Sequence, residues 1–405
     1  MTEPTSDLPP TPRFHPCEGV PPRALFDGAA YDGMLALLES ARRSVRFAMF
    51  LFGGPHAAQM TDLLAAKRDA GLDVRVTLDW MGGMLPPVRR EGAAALRRLR
   101  DLNLDVALAD RRPLPGAPTG RATLAHHKFL VVDEQEALVG GTNVGTFFYR
   151  HHDVMIRLAG PAAAALAAQF DYDRRFTLEP GLPRPSGAVA LPVAESEPVG
   201  SGGATGPAVR VVGTGVGRRT TRDAVLENLR TARRSVDVAM CEMGSGPALD
   251  ELIAAHRRGV AVRVLLDPMD LSAYLPALIP GPLRRVWPKG CLNASARAAL
   301  GAAGVPVRLY RVGDDFCQMH LKMAVFDGER AVVGSTNWTH GGFTCIGETD
   351  LELRGGPEAA VGEMAAQFSR DWEGRSDPAP PPSALSRLLC RTYERLFAAP
   401  GNQKP

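Results

Sequence analysis

The sequence predicts an α/β protein of two similar lobes, each a mainly parallel sheet flanked by helices. Three observations carry this. One unit is written twice along the chain, the apolar residues inside each unit switch between helical and strand periods, and a linker with no period separates the copies. Residues 35–54 read LALLESARRSVRFAMFLFGG and residues 226–244 read LENLRTARRSVDVAMCEMG, so that the ARRSV of 41–45 recurs at 232–236, an offset of 191. LLAAKRDAGLDVRVTLDWM (63–81) is echoed by LIAAHRRGVAVRVLLDPM (252–269). Each unit therefore reads as a helix, a strand, a second helix and a strand ending in Leu-Asp.

The elements follow in order. Residues 1–20 are polar and proline-rich, with no apolar run behind a basic start, and read as a flexible tail rather than a signal peptide. Leu35, Leu37, Leu38, Ala41 and Val45 fall near 3.6-residue spacing, as in a helix with one face on a core. Val262, Val264 and Leu266, alternating with Arg263 and Leu265, form a Val- and Leu-rich run that suits a strand buried on both faces. Strand alternating with helix implies a sheet covered by helices. The first lobe spans 21–178 and the second 208–376. Between them, residues 179–207 are rich in Pro, Gly and Ser and read as a linker. Residues 377–405 carry PAPPP at 378–382 and close on a short amphipathic helix.

Composition narrows the class. The 405 residues are 45% hydrophobic and 22% charged, which excludes a disordered or fibrous chain. A net charge of +3 is too balanced for a protein coated in nucleic acid. None of the six cysteines forms a C-x-x-C pair, so neither a disulfide framework nor a structural zinc is expected. No run of 18 apolar residues occurs, so no transmembrane helix is expected.

The repeat extends to its most informative part. HHKFLVVDEQEALVGGTN (126–143) matches HLKMAVFDGERAVVGSTN (320–337), with an offset of 194 at His126/His320, Lys128/Lys322, Asp133/Asp327 and Asn143/Asn337. In an extended His-x-Lys the two side chains share one strand face. The strand ends near the Asp, and Gly140-Gly141 or Gly334-Ser335 lets the backbone turn and return an amide to that face. Two halves combined hold two imidazoles, two ammoniums and two amides. That set suits a phosphodiester, because cations and amides stabilise the non-bridging oxygens. One His attacks phosphorus while the other protonates the leaving oxygen. No carboxylate cluster for Mg²⁺ lies beside the motifs, and no metal or other cofactor is expected. Alternation of strand faces points His127 away from His126 and argues against a metal site with His151 and His152.

These residues resemble the phospholipase D superfamily, whose signature is the duplicated His-x-Lys-x4-Asp pattern, over about Leu25 to Trp372. The resemblance implies two facing α/β lobes, one shared active site, and metal-free catalysis through a covalent phosphohistidine. It makes His126 the nucleophile and His320 the general acid and then base. Lys128, Lys322, Asn143 and Asn337 bind phosphate, and Asp133 and Asp327 serve structure. It also places an acidic residue after each Asn to orient a reactive His. Asp153 fits in the first half. In the second, Glu348 and Asp350 compete to orient His320, with the gap from His320 favouring Glu348.

Residues 140–166 are most similar to bacterial cardiolipin synthases and related phosphatidyltransferases, whereas the second half, with Ala239–Met243 and Gly334–Thr339, is similar to compact nuclease-like members. The expected substrate is a phospholipid and the alternative a nucleic acid; two intact motifs argue against a non-catalytic scaffold. Loops follow each Leu-Asp. The second (271–290) carries Leu278, Ile279 and Trp287 beside Arg284 and Arg285, a composition that can enter an anionic membrane. A cytoplasmic protein with peripheral contact at the inner membrane face is expected.

Overall fold

The computed structural model describes residues 8–17, 19–83, 89–109, 124–179, 181–185, 206–268, 293–313 and 315–397. β1 (Phe14–Pro16) precedes the first lobe and joins the second lobe's sheet; the first lobe holds β2 (Arg23–Phe26), α1 (Gly28–Ser40), β3 (Ser44–Met49), α2 (Gly54–Asp69), β4 (Asp73–Leu78), α3 (Arg89–Asp101) and β5 (Asp105–Leu108). It continues with β6 (Lys128–Val132), β7 (Glu136–Gly140), β8 (His151–His152), β9 (Val154–Ala159) and α4 (Pro161–Leu178). The second holds β10 (Ala208–Gly215), β11 (Arg218–Arg219), α5 (Thr220–Thr231), β12 (Ser235–Met240), α6 (Pro247–Arg257), β13 (Ala261–Leu266), α7 (Ala294–Ala302) and β14 (Val307–Tyr310). It ends with β15 (Gln318–Met319), β16 (Lys322–Phe326), β17 (Arg330–Gly334), α8 (His340–Thr344), β18 (Glu348–Arg354), α9 (Ala360–Gly374), β19 (Ser376–Pro378) and α10 (Ala384–Phe397).

The two-lobed α/β class is as expected, but the sheets are mixed rather than mainly parallel. The first sheet runs β2-β9-β7-β6-β3-β4-β5, and the second β1-β10-β18-β17-β16-β12-β13-β14-β19. Within these two sheets the described parallel pairs are β3-β4-β5 and β12-β13-β14, joined through helices, while β8 and β15 form a separate parallel pair between the lobes. From each His-x-Lys strand onward the chain makes antiparallel pairs, β6-β7-β9 and β16-β17-β18. The cause is local: Asp133-Glu134 and Asp327-Gly328 have positive φ, the requirement of tight hairpin turns that fold a strand back on its neighbour.

Each motif Asp also binds its own lobe together. Asp133 accepts the backbone N–H groups of Arg42, Arg43 and Ser44 at 2.7–3.2 Å, and Asp327 those of Arg233, Arg234 and Ser235 at 2.7–3.2 Å. The ARRS repeat and the Asp of the motif are thus two ends of one contact.

The tail and lobe boundaries differ from expectation. Residues 14–16, placed in a loose tail, form β1 on the edge of the second lobe's sheet against β10. The Phe14 ring lies under the guanidiniums of Arg210 and Arg354, 4.5 and 3.8 Å away, so the segment covers an otherwise open strand edge. β19 carries the second lobe past 376 by pairing with β14. The linker falls mostly at 186–205, outside the described residues.

The lobes share one apolar core. It joins Phe129, Val131, Ile156 and Phe170 of the first lobe to Val209, Met323, Leu351 and Phe368 of the second. α4 packs on its own sheet and on β10, and α9 on its own sheet and on β2. This fixes the C-terminal ends of the two parallel strand sets against each other, and the motifs sit there.

Candidate active site

Each His-x-Lys pair begins a strand buried on both faces, β6 or β16. The Lys is the first residue of the strand and is itself fully buried, and its Nζ donates to the carbonyl of its own His at 2.6 Å in both lobes. The residue before each His is held by the Asp that ends the Leu-Asp strand: Asp79 accepts from Ala125 N at 2.7 Å, and Asp267 from Met319 N at 2.6 Å. The repeat displays this Asp, yet its task is visible only once the strands are assembled.

The lobes then exchange backbone hydrogen bonds around each His. His126 N donates to Gly347 O at 2.7 Å, and His320 N donates to His152 O at 2.8 Å. Gly347 and His152 each immediately precede an acidic residue. The exchange therefore carries each carboxylate to the imidazole of the opposite lobe. His126 Nδ1 lies 2.9 and 3.0 Å from the Glu348 oxygens, and His320 Nδ1 lies 2.6 Å from Asp153 Oδ2. Glu348 was expected to orient His320 and is instead the partner of His126, because the strand-like pairing at the lobe interface crosses between halves. Asp350 is occupied elsewhere: it accepts from Thr221 Oγ1 at 2.7 Å, from Thr336 N at 3.1 Å and from the Thr336 hydroxyl.

Electrostatics tie the halves into one site. Burial holds the His126 imidazole well below its ordinary value, and Lys128, Lys322 and His320 add to the effect. His320 is lowered likewise by burial, Lys322 and Lys128. Both rings are therefore neutral. Burial lifts Glu348 well above the carboxyl range, and Asp153 to about 6 against the pull of Lys322. Burial lowers Lys128 to about 7, opposed by Glu348 and reinforced by Lys322.

The remaining predicted residues divide. Asn143 is buried at the end of the hairpin, its Oδ1 accepting from Leu51 N at 3.3 Å and its carbonyl from the Tyr31 hydroxyl at 2.6 Å. Asn337 Oδ1 is buried without a partner among the described residues. The chain bends at Gly141 and at Ser335, but Gly140 and Gly141 have no positive φ; what asks for glycine there is close neighbours. A Cβ on Gly140 would stand 2.0 Å from Val154 O, and one on Gly141 2.3 Å from Asp153 Oδ1. Ser335, at the position matching Gly141, donates to Glu348 Oε2 at 2.5 Å. Leu278, Ile279, Arg284, Arg285 and Trp287 lie outside the described residues.

Sequence reasoning gave no role in the site to three groups. His152 bridges Asp27 (2.8 Å) and Asp371 (2.9 Å), one from each lobe. Burial works against its charge, but the two carboxylates prevail and lift it to about 9. Phe50 sets its edge against His126 at 4.6 Å, and Cys241 takes the matching position beside Lys322. His151 lies 5.2 Å from the His320 ring. His127, as the alternation required, faces away: its Nδ1 is 2.8 Å from Thr349 Oγ1. Among the described residues no group of three or more His, Cys, Asp or Glu is arranged to hold a metal ion, and no helix is long and apolar enough to cross a membrane.

Comparison with known proteins agrees with this geometry. Residues 34–174 and 225–372 match the family described as cardiolipin synthase, PLD-like domain. The chain is 23% identical over 365 residues to cardiolipin synthase A of Pectobacterium carotovorum, covering 85% of this chain and 67% of that protein. It is 27% identical over 165 residues to the mitochondrial cardiolipin hydrolase of Danio rerio, 40% of this chain and 61% of that one. The chain thus spans about three-fifths to two-thirds of these relatives. Among solved structures, a phosphatidylserine synthase of Haemophilus influenzae shares the fold, with a TM-score of 0.64 at 13% identity, covering 96% of this chain and 97% of the other.

Proposed function

Because the chain belongs to the cardiolipin synthase, phospholipase D-like family, we propose that it is a phosphatidyltransferase that works on phospholipids through a covalent phosphohistidine, without a metal. The observation that carries the reading is the crossed pair of carboxylate–imidazole contacts, His126 with Glu348 and His320 with Asp153. In their ionised forms Glu348 and Asp153 only accept, so each Nδ1 then carries the proton and each Nε2 is left with its lone pair.

His126 is the nucleophile. Its ring is neutral and abuts the apolar edge of Phe50, a setting that strips water from the attacking nitrogen. Attack of His126 Nε2 on the phosphorus forms the P–N bond as the P–O bond to the headgroup breaks. Binding of the anionic phosphodiester brings a second proton from solvent to His320 Nε2; His320 gives that proton to the departing oxygen and takes one back from the acceptor alcohol or water in the second step. Lys128 and Lys322, with the amides of Asn143 and Asn337, neutralise the charge that builds on the non-bridging oxygens. The names of the relatives, a cardiolipin synthase and a cardiolipin hydrolase, support a phospholipid substrate. Contact with the membrane is peripheral in this reading.

The test supplies purified protein, in EDTA, with radiolabelled phosphatidylglycerol vesicles or with single-stranded DNA. Lipid turnover in EDTA is expected, lost in both His126→Ala and His320→Ala, with labelled enzyme trapped by rapid quenching of the wild type and none in His126→Ala. Cleavage of DNA but not lipid overturns the substrate; complete loss in EDTA overturns the metal-free chemistry; label on His126→Ala overturns the nucleophile.

A further inference from the structure

The proposed chemistry leaves one buried group of the site without a task. His151 is 5% exposed, and its ring centroid lies 5.2 Å from that of His320. The rings of Phe147 and Phe148 stand edge-on to it, each at 5.2 Å. Its Nε2 is buried and has no hydrogen-bond partner among the described residues. Burial and His320 hold the ring neutral, against the pull of Asp153, so the groups that act on it are the members of the site.

The fold does not demand a polar group here. Counting two residues back from Asp153 and from Glu348, His151 matches Ile346, so the twin lobe fills this position with hydrocarbon. Buried polar groups are ordinarily paired, and a neutral imidazole nitrogen kept unpaired beside the proton carrier has a use in the reaction. Phe147, 41% exposed, carries the aromatic wall of His151 out to the surface.

We propose that His151 is the acceptor-binding residue, and that through it the site selects a vicinal diol or polyol, such as a glycerol headgroup, over a simple alcohol or water. This rests on the phosphatidyltransfer reading. In the second step one acceptor hydroxyl attacks the phosphorus held on His126 Nε2. The P–O bond forms, the P–N bond returns its electron pair to the imidazole, and the hydroxyl proton passes to His320 Nε2. The neighbouring hydroxyl donates a hydrogen bond to His151 Nε2 and is not consumed. Two imidazoles side by side thus hold two adjacent oxygens, and water or ethanol offers only one.

The experiment presents the full chain with dioleoylphosphatidylglycerol vesicles and deuterated glycerol or ethanol. Deuterated phosphatidylglycerol, phosphatidylethanol and phosphatidate are resolved by mass spectrometry. The wild type is expected to favour glycerol. His151→Ile, which copies the twin lobe, should lower glycerol transfer more than phosphatidate release, shifting their ratio about tenfold through the KM for glycerol. His151→Gln, whose amide can take the same hydroxyl, should restore the ratio to within about threefold. An unchanged ratio in His151→Ile, or an equal fall of all three products in both variants, assigns the residue to structure and overturns the proposal. A wild type that forms no phosphatidyl product at all fails at the parent reading, which is a separate and recognisable result.

Discussion

The two half-sites share a backbone plan and differ in what surrounds each imidazole. His126 is met by a glutamate that takes a hydroxyl from Ser335 and by the edge of Phe50. His320 is met by an aspartate packed onto Gly141, where no side chain fits, and by the polar ring of His151. The longer carboxylate leaves room for a serine at its base, and the shorter one does not. The lesson is a division of labour: the apolar half suits a nitrogen that must attack, and the polar half suits one that must exchange protons with arriving and departing oxygens.

The strongest way to break this division is to convert the carboxylates to amides one at a time. Asp153→Asn and Glu348→Gln should each lower kcat/KM by on the order of 10³- to 10⁴-fold, since each amide spoils the tautomer of one imidazole. The two losses should respond differently to the leaving group. Asp153→Asn impairs the proton donor and should be largely rescued by a p-nitrophenyl ester, which leaves without a proton. Glu348→Gln impairs the nucleophile and should not. Equal rescue of both would show that the halves are interchangeable.

A smaller effect comes from exchanging the small residues. Gly141→Ser forces a side chain against Asp153 and should cost stability as well as at least about tenfold in rate, with a lowered Tm in calorimetry. Ser335→Gly removes one hydrogen bond to Glu348 and should cost several-fold in rate with little change in Tm. A Gly141→Ser protein with wild-type Tm would remove the packing argument. The pH profile of kcat/KM sharpens the same contrast. Activity should fall below about pH 6, where Asp153 takes a proton, and above about pH 7, where Lys128 loses its own in the free enzyme. Asp153→Asn should flatten the acid limb; a limb that stays in place belongs to another group.

Much of this was legible in the sequence because the repeat is a repeat of contacts. His126, Lys128 and Asp133 recur as His320, Lys322 and Asp327, and any strand-helix reading brings each set to one strand end. What stayed hidden depends on the lobe interface. The spacing from His320 to Glu348 is a distance along the chain, but the contact that Glu348 makes is with His126, through a hydrogen bond from His126 to Gly347 that no single-lobe reasoning contains. The antiparallel character of half of each sheet was hidden for a related reason: a strand buried on both faces has no alternation to reveal its direction. The close packing at the glycines stayed hidden because close approach and turning ask for the same residue.

His152 gives the smallest effect and the one that tests the interface alone. It lies between Asp27 of the first lobe and Asp371 of the second, stacked on Tyr310 at 5.5 Å, and the twin lobe offers Gly347 at the matching position. Its folded value of about 9 lies above the 6.5 of the unfolded chain. Below pH 6.5 the ring is charged in both states and the contact contributes in full. Between 6.5 and about 9 only the folded state keeps the proton, so the contribution shrinks as pH rises, and above about 9 it is lost. Lys128, lowered from 10.5 to about 7, acts with the opposite sign in the same window. The informative quantity is therefore the difference between proteins. The Tm advantage of the wild type over His152→Gln should be largest near pH 6 and should decline steadily toward pH 9. An advantage that does not vary with pH would mean that His152 joins the lobes by shape and stacking, and that the charged bridge between Asp27 and Asp371 carries none of the difference.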